Sequence, residues 1–335
     1  MAHASGNSSS YTPPRRISAY EAKLSLLPAL YAPCGSYIML HDSLKTIDVR
    51  GLPYFGMAMS RNMVITTSDE IYRLDRGIVP WGWNLPLRNY LINKGIRSKL
   101  LPSERELARW RALSHRQTSC IFHASLSQIL PERQFAVYKS RPPRLFYSSA
   151  EAIGYISGMG DCFIKTPWSS SGRGVRAVRG ELDETSREML DGSIGRQGSV
   201  IVEYYWDKAV DFATEWHIGG GLVSFLGLSM FNSDSQGFYK GNVVASQQAM
   251  RQMLGHYVSN DVIDTVIQAQ KRVLKKFISP WYAGPVGIDM LIDRDCNINA
   301  CVEINLRHTM GTVALHLSSL VNEEFVFVPG TELAV

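Results

Sequence analysis

The sequence predicts a mixed α/β (α+β) protein, and three observations predict it. Short apolar runs with period-two alternation recur between clusters of Gly, Pro, Ser and Asn, the pattern of half-buried strands. Residues 260–278 instead carry an apolar face at i, i+3 and i+4, the pattern of an amphipathic helix packed on a sheet. That helix leads into residues 284–311, GPVGIDMLIDRDCNINACVEINLRHTMG, two alternating runs about the polar residues 294–297, which predicts a β-hairpin.

At 335 residues the chain is long enough for two or three domains with a sizeable core. With 45% hydrophobic and 19% charged residues it has the composition of an ordinary globular protein, and its net charge of +5 suits anionic substrates such as nucleotides. Cys34, Cys120, Cys162, Cys296 and Cys301 have no metal-ligand spacing, which predicts reduced thiols and a cytoplasmic protein. Residues 1–16, polar and rich in Ser and Pro, are predicted as a disordered lead-in. No apolar run approaches the ~18 residues of a membrane helix, and no dense Lys/Arg stripe is interleaved with aromatics. Neither a membrane nor a nucleic acid is therefore an expected partner.

In chain order, residues 17–115 predict a small α/β unit, with strands at 36–40 and 63–66 and helices at 69–74 and 85–94. Trp81 and Trp83 flank Gly82 and either pack in the core or wall a ligand site. Ser103 and Glu106 form a capping box that opens a helix through Trp110 to about His115. Residues 135–139 and 162–166 are predicted as strands, with a helix over 151–158 between them. The loop Lys165-Thr-Pro-Trp-Ser-Ser-Ser-Gly-Arg-Gly-Val175 follows. Its small residues, among them Gly172 and Gly174, let backbone N–H groups approach phosphate oxygens. The hydroxyls of Ser169, Ser170 and Ser171 and the guanidinium of Arg173 add donors, and Lys165 reaches an adenine or α-phosphate. The loop is neither a Walker A nor a GxGxxG sequence, and a flexible hairpin without a ligand is the alternative.

Residues 198–205, 212–218 and 222–231 are predicted as strands, the first ending near Glu203 and the last two joined by Gly219-Gly220-Gly221. Residues 237–242 are predicted as a loop, with Lys240 facing a γ-phosphate, an acceptor carboxylate or solvent. In the hairpin, a turn centred near Cys296 sets Asp289 opposite Glu303, with Asn305 on the same face. Ile288, Met290, Val302 and Ile304 point to the other side. Two carboxylates roughly 4 Å apart repel by about 4 kcal/mol at an effective dielectric of about 20, so the pair calls for a shared proton or a cation. The oxygen set Asp289, Glu303 and Asn305 suits Mg2+ or Mn2+ and not zinc. Residues 309–311 start a closing helix carrying Leu315 and Leu320, and His308 either touches substrate or has a structural or capping role.

With Asp289 on the strand before it, Glu303-Ile304-Asn305-Leu306-Arg307 resembles the metal-binding end of the ATP-grasp superfamily, which includes biotin carboxylase and D-alanine:D-alanine ligase. The order of features over residues 100–320 is similar too: strand Lys, Ser/Gly loop, hinge acid, long helix, Asp strand, ExNxR strand. The resemblance implies an ATP-grasp fold, two α+β subdomains clasping ATP. Residues 17–115 would form the preceding N-terminal domain, 116–202 the lid and 203–335 the C-terminal subdomain with the metal site. It implies ATP with Mg2+ (or Mn2+), the metal held by Asp289, Glu303 and Asn305, and Arg307 contacting the transferred phosphoryl group or the acyl phosphate. It implies that Lys165 and residues 169–174 form the phosphate loop. Glu203 would then be the hinge acid, with the Tyr204 and Tyr205 amides facing the adenine edge and Asp211 near the ribose or hinge. It sets Arg116 near the phosphates, where the superfamily usually has Lys.

The activity so implied is that of an ADP-forming ligase: a carboxylate is activated as an acyl phosphate and attacked by an amine, less often a thiol. Arg307, Arg173 and Lys240 would serve the transfer, on unidentified small-molecule or peptide substrates. A phosphotransferase of the same superfamily and a non-catalytic nucleotide-binding protein are the alternatives.

Overall fold

The computed structural model describes residues 15–41, 54–55, 64–66, 77–169, 174–234 and 239–329. The helix expected over 69–74 and the loop residues Ser170, Ser171, Gly172 and Arg173 lie outside them. Residues 15 and 16, expected in the lead-in, already belong to a helix.

Helices α1 (Arg15–Leu24) and α2 (Pro28–Tyr31) precede β1 (Tyr37–Met39), which pairs in parallel with β2 (Val64–Thr66). Helix α3 (Leu85–Asn93) starts where the Asn84 side chain accepts the Leu87 N–H at 2.8 Å, and Pro86 follows in its first turn, where a missing N–H leaves nothing unpaired. Helix α4 (Glu104–Leu113) opens on the expected capping box: Ser103 N–H donates to Glu106 at 2.8 Å and Glu106 N–H to the Ser103 hydroxyl at 3.3 Å.

Helices α5 (Gln117–Ile129) and α6 (Glu132–Ser140) come next, so residues 135–139 are helical and not the expected strand. The apolar residues there are the reason. Phe135 and Tyr138 are both buried, which is i, i+3 spacing, and Pro131 stands at the N-cap. A strand forms only after Pro142 and Pro143, as β3 (Arg144–Phe146).

Helix α7 (Ser149–Met159), β4 (Cys162–Lys165), β5 (Val175–Val178), α8 (Glu184–Gln197) and β6 (Val200–Tyr204) complete an antiparallel sheet of order β3-β6-β4-β5. Its core is built by Ala152, Ile156, Ile164, Leu190 and Val202. Helix α8 begins at Asp183, which accepts the Ser186 N–H at 2.8 Å, and ends at Gly198 in the left-handed region at φ +81°.

The second sheet contains β7 (Lys208–Gly219), β8 (Leu222–Ser233) and β9 (Tyr239–Val244), followed by α9 (Gln247–Gly255) and α10 (Asn260–Phe277). Strands β10 (Gly284–Asp293) and β11 (Ile298–Asn305), helix α11 (Met310–Ser318) and β12 (Phe325–Phe327) complete it. Its order is β11-β10-β7-β8-β9-β12, with every pair antiparallel. Residues 239–242 are thus part of a strand and not of the expected loop. Tyr239 pairs with Ser233 and Gly241 with Asn232, which leaves Lys240 as the extra residue of a bulge.

The apolar face of α10 buries Val262, Ile263, Val266, Ile267, Val273 and Leu274 with Phe212, Trp216, Ile288 and Ile292 of the sheet. Each such side chain contributes roughly 1.5–3 kcal/mol. Gln270, inside that face, is satisfied: its amide accepts from Thr214 and donates to the Ala300 carbonyl, both at 2.8 Å. With one face of the sheet closed in this way, the other face is left for a cleft.

Candidate active site

A cleft of about 1880 Å³ runs between the two sheets and on to the N-terminal segment. The β10–β11 register sets its polar end. Asp289 pairs with Glu303 and Gly287 with Asn305, as the turn position predicted, and a bulge follows Asp289. The turn is held by Asp293, whose carboxylate accepts the N–H of Asp295 at 3.0 Å and of Asn297 at 2.8 Å. Asn305 donates to Asp289 at 3.0 Å, and Arg307 donates to the Asn305 amide oxygen at 2.8 Å and to the His308 carbonyl at 3.0 Å. Asp289, Glu303, Asn305 and Arg307 are therefore brought together.

The two facing acids differ in protonation. Burial, then the charges of Glu303 and Glu215, push Asp289 up to about 7. Burial also acts to raise Glu303, but Arg116 and Lys165 outweigh it and hold Glu303 below the ordinary carboxylate range. Two facing carboxylates, one of them pushed up by burial and by its neighbour's charge, beside an amide oxygen, fit a hard divalent cation. Among the described residues no group of three or more His, Cys, Asp or Glu forms a metal cluster, so a cation here relies on Asn305 as well.

Arg116 is buried and bridges two parts of the site. Its Nη2 donates to both oxygens of Glu303, at 3.0 and 3.1 Å, and its Nη1 to the Thr166 carbonyl and the Ser169 hydroxyl, both at 2.6 Å. Sequence reasoning set Arg116 near phosphates; its partner here is the acid across from Asp289. Lys165 and Glu203 are both buried and form an ion pair at 2.5 Å. The ends of the Ser/Gly loop meet closely: Thr166 N–H donates to the Gly174 carbonyl at 2.8 Å, and a Cβ on Gly174 would stand 2.2 Å from the Thr166 hydroxyl. Only glycine fits there.

Tyr204 and Tyr205 line the cleft, but the Tyr205 N–H is donated to the Asp161 carbonyl at 3.2 Å and does not face an adenine edge. The Tyr205 ring stacks on Phe163, with Arg179 over it. Asp211 is paired with Lys208 at 2.7 Å and accepts the Ser233 hydroxyl. Lys240 does not line the cleft; its side chain is 59% exposed and paired with Asp234 at 3.1 Å.

Glu215 was not anticipated. It is 1% exposed, and its carboxylate accepts from Thr309 at 2.8 Å, Ser229 at 3.0 Å and Thr312 at 3.3 Å. Burial pushes its carboxyl up, against those three hydroxyls. The sequence signal is an acid in the middle of the apolar run Phe212-Ala-Thr-Glu-Trp216, a placement that a buried strand tolerates only with donors around it. His308 is buried too: its N–H donates to the Trp81 carbonyl at 2.8 Å and its ring lies 4.3 Å from that of Tyr31.

No family model matches the chain. The chain is 24% identical, over 174 residues, to the [butirosin acyl-carrier protein]–L-glutamate ligase of Niallia circulans; the match covers 51% of this chain and 39% of that protein. The chain thus spans well under half the length of this curated relative. Among solved structures it is similar to the biotin carboxylase–βγ-ATP complex of Campylobacter jejuni, with a TM-score of 0.56 and 14% identity over 90% of this chain and 68% of that one. It is also similar to the biotin carboxylase domain of the Hydrogenobacter thermophilus 2-oxoglutarate carboxylase, solved with MgADP, ADP and bicarbonate. There the TM-score is 0.53 and the identity 13%, over 89% of this chain and 67% of that one. At such identities these likenesses establish the fold.

Proposed function

The chain has the ATP-grasp fold, and from this premise we propose that it is an ATP-dependent, ADP-forming ligase joining a carboxylate to an amine. The observation that carries the reading is the facing pair Asp289 and Glu303 with Asn305 and Arg307 beside it, in a cleft that also holds the buried Lys165–Glu203 pair. The curated relative is a ligase, which favours joining of two substrates over plain phosphoryl transfer as the outcome.

In this reading a carboxylate oxygen attacks the γ-phosphorus of ATP. The new O–P bond forms as the bond to the bridging oxygen breaks, and ADP leaves with that electron pair. The amine nitrogen then attacks the acyl carbon, phosphate departs, and the nitrogen gives up one proton. A divalent cation on Asp289, Glu303 and Asn305 would supply charge neutralisation at the triphosphate. Arg307, its guanidinium steadied by Asn305 and the His308 carbonyl, meets the charge that builds on the transferred group. Lys165, Ser169 and Gly174, with Ser170, Ser171, Gly172 and Arg173, hold the phosphates. Glu203, Tyr204 and Asp211 face the nucleoside side. Arg116 exchanges Glu303 for a phosphate oxygen when nucleotide and metal arrive. Lys240, exposed and paired with Asp234, has no part in the transfer.

Residues 116–202 act as the lid over a nucleotide held by 203–335, and 17–115 border the acceptor. The free thiols fit a cytoplasmic protein, and no helix of the described residues is long and apolar enough to cross a membrane. A thermal-shift titration tests the reading. MgATP at 100 times its Kd adds about 2.7 kcal/mol, a rise of several degrees in midpoint that chelator or Glu303→Ala abolishes. No rise with MgATP would refute it.

A further inference from the structure

We infer that the N-terminal half of the cleft binds the body of the carboxylate substrate and selects an acid with an aromatic or comparably bulky apolar body over a small or acidic one. This rests on the ligase reading and names its substrate class.

The two halves of the cleft differ in chemistry. Lys165, Glu203, Asp211, Asp289, Glu303 and Arg307 line the half assigned to the nucleotide. The wall contributed by residues 20–91 presents Tyr20, Tyr31, Tyr37, Trp81, Trp83 and Tyr90, and among the described residues Glu21 is its only ionised side chain. The cleft is also larger than a nucleotide fills, since a whole drug-sized ligand site spans about 300–1,000 Å³.

The apolar wall begins one residue from Arg307. His308 donates its N–H to the Trp81 carbonyl at 2.8 Å, its ring lies 4.3 Å from Tyr31 and 6.1 Å from Trp81, and the Tyr31 and Trp81 rings are 6.3 Å apart, edge to face. A carboxylate held at Arg307 and the metal end therefore extends its body along Trp81 and Tyr31. Those rings offer stacking and dispersion to a planar or branched apolar group. Among the described residues the wall has no cationic side chain for a second carboxylate, and the Tyr31 hydroxyl and both His308 ring nitrogens are buried from solvent, so they offer it no accessible donor. A side-chain carboxylate brought here would lose its water without compensation. In apolar pockets of this kind, one methylene changes kcat/KM by roughly 10–200-fold.

Hydroxylamine provides the test, because it traps an acyl phosphate as a hydroxamate without the natural amine. Phenylacetate, indole-3-acetate, L-phenylalanine and L-tryptophan are compared with acetate, L-alanine, succinate and L-glutamate, each with MgATP. The expected result is a kcat/KM at least ten-fold higher for the best bulky acid than for any small or acidic one. Trp81→Ala then loses at least ten-fold on that acid while its MgATP thermal shift and KM for ATP stay at the wild-type values, and Trp81→Phe recovers most of the loss. If Trp81→Ala does not fold, Tyr31→Leu, with the same shift as its folding check, serves in its place. Fastest turnover of glutamate, succinate, alanine or acetate overturns the inference and leaves the ligase reading standing. So does an unchanged specificity ratio in the folded variants. An MgATP shift with no hydroxamate from any acid, or no shift at all, overturns the ligase reading and this inference with it.

Discussion

Arg116 donates through one guanidinium nitrogen to both carboxylate oxygens of Glu303, while its other terminal nitrogen holds the entry to the Ser/Gly loop through Thr166 and Ser169. One side chain thus ties the proposed lid to the proposed metal strand. Truncating it leaves Glu303 facing Asp289 with its main counter-charge gone. Breaking a fully buried ion pair costs roughly 3–5 kcal/mol, but the Glu303 side chain is 28% exposed and water relieves part of that. Arg116→Ala should therefore cost about 2 kcal/mol in urea unfolding with chelator present, and Arg116→Lys, with one ammonium for two sets of partners, should fall between. A variant as stable as the wild type would show that the pair contributes nothing.

Lys165 and Glu203 pose the same question with less solvent, since both are buried. Lys165→Met leaves a carboxylate buried without its cation and should cost about 3 kcal/mol or more. Lys165→Met with Glu203→Leu removes both charges and fills the space with apolar atoms, and should recover most of the loss. A double variant no more stable than Lys165→Met alone would mean that the pair is not the origin of the effect. In either variant the MgATP thermal shift should disappear.

Asp289 should make the metal-free protein weaker as the pH rises. Its carboxyl sits near 7 in the folded chain, pushed up by burial, Glu303 and Glu215 and opposed by Arg307 and the Asn305 amide, against about 3.9 when unfolded. Between those values the folded state binds the extra proton. The associated stability is whole below pH ~4 and is lost as the pH climbs through about 7, at no more than about 1.4 kcal/mol per unit. In chelator, the midpoint should fall between pH 5 and 7.5, and Asp289→Asn should flatten that slope. Divalent-ion binding should strengthen over the same interval, because it needs the carboxylate. A slope identical in Asp289→Asn would place the titrating group elsewhere.

The parts of the site legible in the sequence are those set by short-range geometry. A turn centred on Cys296, which adopts φ +62°, and the period of two fix Asp289 against Glu303. The capping box at Ser103 and the face of α10 are equally local. What could not be read depends on contacts between distant segments. Glu215 is satisfied by Ser229, Thr309 and Thr312, and Arg116 finds Glu303 187 residues away. Residues 135–139 and Lys240 were misassigned for another reason. A four-residue apolar run such as Phe135-Ala-Val-Tyr138 matches helix and strand alike, and a bulge leaves no mark in a polar stretch.

Glu215 yields the last prediction through the glycine above it. A Cβ on Gly311 would stand 2.0 Å from a Glu215 carboxylate oxygen and 2.3 Å from the Ser229 hydroxyl. Neither atom can retreat cheaply, because Thr309, Thr312 and Ser229 hold the carboxylate in place. Gly311→Ala should thus destabilise by about 2 kcal/mol, within the usual range for overpacking. Gly195, inside α8 with nothing within 4 Å of its missing Cβ, should respond oppositely: Gly195→Ala gains about 0.5–1 kcal/mol from helix propensity. Shortening the carboxylate by one methylene makes room, so Glu215→Asp should cost less in the Gly311→Ala background than in the wild type. Differential scanning calorimetry of the four-member cycle measures that coupling. Strict additivity would mean that the glycine is not there for Glu215.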